Sequence, residues 1–106
     1  MFIKFNDFDM LDFFDNEPIC VGEEGEAIFI YSINGNNQFS MTLTVDTYAK
    51  QVGISISYID NIIFDGEFNN VRKIKKESNI MIVCMDSGER VIIKKDYCPS
   101  VILENI

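Results

Sequence analysis

Hydrophobic and polar positions along this chain change their period near residue 27. Before it, Phe8, Leu11 and Phe14 recur every third position, with Asp9, Asp12 and Asp15 on an adjacent stripe. That spacing predicts a short amphipathic helix over residues 7–15, with Phe8, Leu11 and Phe14 facing the core. Asn6 or Asp7 is placed to cap it, and the early acids suit the positive end of its dipole. Strand is the competing reading, since phenylalanine-rich segments also pair into sheets.

After residue 27 the period becomes two. The run 27–33 precedes Asn34-Gly35, the dipeptide favoured in type I′ hairpin turns, and Phe39, Met41, Leu43 and Val45 then alternate with Ser40, Thr42 and Thr44. A two-residue turn there sets Ile30 opposite Phe39 and Ile28 opposite Met41 on the core face. Residues 46–52 predict one or two helical turns opened by Asp46 and closed by Gly53. Ile54, Ile56, Ile59, Ile62 and Ile63 follow, ending at Phe64-Asp65-Gly66. The last third reads as an antiparallel meander of strands 71–76, 80–85, 91–95 and 101–104. With Ser87-Gly88 at a hairpin tip, Ile82 faces Ile93 and Cys84 faces Val91. The fold class is mainly β (α+β): a curved antiparallel sheet, half-barrel or sandwich, with one or two short helices, in a single domain over residues 1–106.

Composition adds size and compartment to this outline. A chain of 106 residues that is 47% apolar can bury a core without metal or disulfide staples. Cys20, Cys84 and Cys98 cannot all pair within one chain and lack CxxC spacing, which points to a reducing compartment, the cytosol. No run approaches the roughly 18 apolar residues of a membrane span. We expect a cytoplasmic protein with no membrane contact.

Charge changes the picture more. Residues 1–26 hold eight acids against Lys4 alone, accounting for −7 of the net −8. Phe5, Phe8, Met10, Leu11, Phe13 and Phe14 are threaded between them. Such a field draws basic proteins and repels nucleic acid. The one basic run, Arg72-Lys73-Ile74-Lys75-Lys76, alternates as an edge strand does, where lysines discourage sheet-to-sheet aggregation.

Candidate chemistry is sparse. The chain has no histidine, which removes Ser-His and Cys-His catalysis and histidine-bearing zinc sites. The six glycines are scattered and build no phosphate loop. Asp7-Phe8-Asp9-Met10-Leu11-Asp12 opens like a calcium-binding loop, but Asp12 stands where that loop needs glycine and Pro18 where it needs a bidentate glutamate. No cofactor or metal is predicted, and an enzyme is the last reading. What remains is a surface: Asp9, Asp12, Asp15 and Glu17, with Glu23 and Glu24, form one edge of a docking site with Phe13 as its aromatic anchor. The opposed reading is a solvated helix face. Tyr31, Tyr48, Tyr58 and Phe68 with Asp46, Asp60, Asp65 and Glu67 outline a second patch.

In the segments Phe8-Asp9-Met10-Leu11-Asp12-Phe13-Phe14-Asp15 and Gly22-Glu23-Glu24-Gly25-Glu26, in its β-rich remainder and in its lack of catalytic apparatus, the chain resembles the immunity proteins of bacterial contact-dependent growth inhibition and related polymorphic toxin systems. That resemblance implies a small acidic inhibitor of a cognate protein toxin with a basic surface, a nuclease and more specifically a ribonuclease, blocked by occlusion of its active site. A mobile-element or phage DNA-mimic inhibitor, or another class of antitoxin, would use the same electrostatics. A non-catalytic assembly domain would bind through apolar contacts instead.

Overall fold

The computed structural model describes residues 3–22, 28–34, 38–95 and 99–104. Among them one helix, α1 (Asp7–Phe14), leads into nine strands: β1 (Ile19–Val21), β2 (Ile28–Asn34), β3 (Phe39–Asp46), β4 (Gln51–Tyr58), β5 (Asn61–Phe68), β6 (Val71–Glu77), β7 (Ile80–Met85), β8 (Arg90–Lys94) and β9 (Ser100–Glu104). Strands β1 to β5 form one antiparallel meander and β6 to β9 a second. The mainly β fold with a short helix is therefore the observed one, drawn as two sheets.

Alternation produces the core. Met41, Leu43 and Val45 on β3, and Val52, Ile54 and Ile56 on β4, point inward. They meet Val71, Ile74, Met81, Val83, Met85, Val91 and Ile93 of the other sheet in one cluster. Each such side chain contributes about 1.5–3 kcal/mol when fully buried. Helix α1 closes the cluster by packing against β2 and β6. Lys50 links turn to turn between the sheets: its carbonyl accepts from Val71 N–H at 3.0 Å and its ammonium reaches Asp86 at 2.8 Å.

Turn lengths depart from expectation and carry the registers with them. Ile30 faces Thr44, and Tyr31 faces Leu43, so a two-residue turn at Asn34-Gly35 is not what joins β2 to β3. The shift turns Phe29, Tyr31 and Ile33 toward the core and leaves Ile28 and Ile30 on the outer face. Burial of Tyr31, stacked on Phe14 at 5.3 Å, favours that choice. Gly35 itself lies outside the described residues.

Residues 47–50 form a turn instead of helix. The Asp46 carboxylate accepts from Ala49 N–H at 3.0 Å, and Lys50 takes φ 59°. The reversal lets Val52, Ile54 and Ile56 enter the sheet at once, which a helix through Val52 would forbid. Between β7 and β8, Met85 N–H bonds Glu89 O at 3.0 Å, with Gly88 at φ 95°. This bulged turn sets Met81 opposite Ile93 and Val83 opposite Val91. Ile82 and Cys84, expected inside, face outward on β7. Both remain buried there, between the neighbouring strands' Lys73, Lys75, Arg90 and Ile92 in the adjacent registers.

Candidate docking surface

The acidic helix is set by its own ends. The Asn6 side chain caps it, accepting from Phe8 N–H at 2.8 Å and Asp9 N–H at 3.4 Å. Asp15, at φ 57°, ends it with its N–H on Leu11 O at 2.7 Å. The Lys95 ammonium bonds the Phe13 carbonyl and lies 5.1 Å above the Phe13 ring. A cation just beyond the end of β8 thus answers the negative end of the helix.

The buried face of α1 is Met10, Phe13 and Phe14, all fully enclosed, whereas Phe8 is 80% exposed. Phe13, expected as the surface anchor, meets Phe14 edge to face at 5.0 Å inside the core. Its burial takes it off the surface. Phe8, expected inside, takes its place outside, one and two turns from Asp12 and Asp15 on the same helix face. The sequence carried a usable signal for this: Met10, Phe13 and Phe14 also follow the i, i+3, i+4 rule.

The acids are unequal. Asp9 is half-buried, while Asp12, Asp15 and Glu17 are exposed. Asp12 reaches Lys76 at 2.7 Å. The hydrogen bond and the charge of Lys76, with Lys95 further off, hold its carboxyl below the usual range. Part of the basic run therefore neutralises this edge from within. Lys75 likewise pairs with Glu77 at 3.2 Å. Glu23 and Glu24 lie outside the described residues.

A second anionic surface is the outer face of the β1–β5 sheet. Thr42, Thr44, Ser55 and Ser57 alternate outward there, with Asp46 at the end of β3 and Asp65 and Glu67 on β5. The Ser40 and Ser57 hydroxyls bond across β3 and β4. Gly53, lacking a side chain, leaves a shallow depression lined by Thr44, Asp46, Gln51 and Glu67. Of the aromatics expected to border this patch, Tyr48 and Tyr58 are exposed, Phe68 is half-buried and Tyr31 is buried. Burial first, then the charge of Asp7, pushes the Tyr31 hydroxyl up to about 12.

Among the described residues no three His, Cys, Asp or Glu side chains are grouped to hold a metal ion. No described helix is long and apolar enough to cross a membrane. Cys20 is exposed and Cys84 buried, both as free thiols.

No family model matches the chain, and no curated protein does. Its structure is similar to that of a chain in the contact-dependent growth inhibition toxin–immunity protein complex from Klebsiella pneumoniae 342. The match covers 100% of this chain and 100% of that one, with a TM-score of 0.84 at 15% identity. The two chains share a fold from end to end.

Proposed function

We propose that this chain is the immunity protein of a contact-dependent growth inhibition pair, binding its cognate toxin and occluding the active site. The observation that carries this is the fold shared, over both full lengths, with a chain of a toxin–immunity complex. Such a complex holds two kinds of protein. The net charge of −8 and the absence of histidine favour the inhibitor over the toxin.

The partner in this reading is a nuclease, a ribonuclease foremost, whose cationic substrate groove accepts carboxylates where phosphates would sit. Asp15 and Glu17 supply the steering field, with Asp9 beside them and Asp12 partly neutralised by Lys76, and Phe8 serves in place of Phe13 as the aromatic that the helix offers. Glu23 and Glu24 continue the acidic edge in sequence. The protein acts in the cytosol, where it neutralises the toxin that has entered the cell, and contacts no nucleic acid itself.

Growth measures this. The reading predicts a large exported protein encoded immediately upstream, and its C-terminal domain is induced in cells with and without the chain. Growth arrest relieved by the chain is the expected result. Arrest that persists with the chain present and folded contradicts the reading.

A further inference from the structure

The β4–β5 hairpin carries apolar side chains that the fold leaves outside. Ile62 is 67% exposed, Ile63 57% and Ile59 49%, beside Tyr58, which leans on Phe39 with ring centroids 4.7 Å apart. The backbone puts them there. Strand β5 is an edge strand of its sheet. Ser57 pairs with Ile62 and Ile56 with Phe64, so Ile63 has no opposite residue and forms a bulge. The bulge breaks the alternation that would turn one of two adjacent isoleucines inward.

The turn itself is strained. Ile59 and Asp60 take φ 47° and 63°, the type I′ geometry that Asn or Gly fills at little cost and a β-branched residue only at a penalty. Exposed isoleucines and a left-handed isoleucine both work against stability. Their use is sought in what they touch outside the chain.

We propose that the β4–β5 hairpin tip is the apolar anchor that holds the toxin, seated in an apolar depression ringed by lysine and arginine. The proposal rests on the immunity reading above. Charge selects this occupant. Asp60 and Asp65 are exposed at and beside the tip. Lys50, the one base between residues 28 and 68, is committed to Asp86. A second copy of the tip would set carboxylate against carboxylate, whereas a cationic rim meets them with opposite charge. The helix acids then govern encounter, and the tip governs residence.

The test compares the wild-type chain with an Ile62→Ser/Ile63→Ser variant in binding kinetics on the upstream-encoded toxin domain, with each chain also unfolded in urea and sedimented alone. The expected variant is folded and monomeric, and binds about 30-fold more weakly, as interface hot spots do, chiefly through faster dissociation. Should the double variant lose stability, Ile62→Thr keeps the β-branched shape and reads the same contact. Unchanged affinity in folded variants overturns the proposal. So does a wild-type dimer that the substitutions dissolve while toxin binding holds. A wild-type chain that fails to bind the toxin domain overturns the immunity reading itself, and this anchor with it.

Discussion

Phe8 and Phe13 lie on one helix and end in opposite environments, which decides what each can do. Phe13 and Phe14 are fully buried, Phe14 stacked on Tyr31 and Phe13 between Phe14 and the Lys95 ammonium, so truncating either to alanine should cost about 3–5 kcal/mol. Phe8→Ala should cost less than about 0.5 kcal/mol, and urea midpoints separate the two classes. The three-residue spacing of Phe8, Leu11 and Phe14 made the helix legible but not its rotation. Packing on Tyr31, a contact with β2, chose the face. Tyr31 also makes stability pH-dependent at the alkaline end. Its hydroxyl is raised from 10 to about 12 in the folded chain, so its contribution is complete below pH 10 and is lost as pH rises through about 12. Tyr31→Phe should flatten the decline of the urea midpoint across that interval.

At the scale of elements, the sequence located strands well and turns poorly. The alternation of Phe39, Met41, Leu43 and Val45 with Ser40, Thr42 and Thr44 is visible because each face meets one solvent. Turn length leaves a weaker trace, since one added residue alters no composition yet exchanges the faces of a strand. Ser87-Gly88 was legible as a turn, but the bulge at Gly88 was not, and β7 turned its other side inward. The type I′ turn fell at Ile59-Asp60, where no turn dipeptide announces it. Gly88 offers a direct check of its turn. A Cβ added there meets nothing within 4 Å, so Gly88→Ala feels only the backbone at φ 95°. We expect a loss of about 1 kcal/mol, read from the urea midpoint. No loss would mean that the turn relaxes into another geometry.

Across the whole molecule, charge is divided by sheet. Between residues 71 and 106 seven bases stand against five acids, and residues 1–26 carry the opposite excess. That asymmetry was readable from sequence. Its partial cancellation was not, because Lys76 reaches Asp12 and Lys95 reaches the Phe13 carbonyl only once the two ends of the chain fold together. The exposed helix acids remain available to steer a basic partner. Asp9→Asn, Asp12→Asn and Asp15→Asn together should leave the chain folded while slowing toxin association. In the wild type the association rate should fall steeply with salt, as the screening length contracts from about 10 Å at 0.1 M to about 3 Å at 1 M. Stopped-flow mixing across that range checks both, and a flat salt profile would favour an assembly domain held by apolar contacts.

Inhibition of a nuclease toxin by covering its active site is tested most directly by titrating the nuclease activity of the proposed cognate toxin domain with the purified chain. Activity should fall in proportion to added chain and vanish at a fixed stoichiometric equivalence, with no nuclease activity from the chain alone. Toxin activity that persists at saturating chain, in a mixture where the two proteins bind, would contradict occlusion.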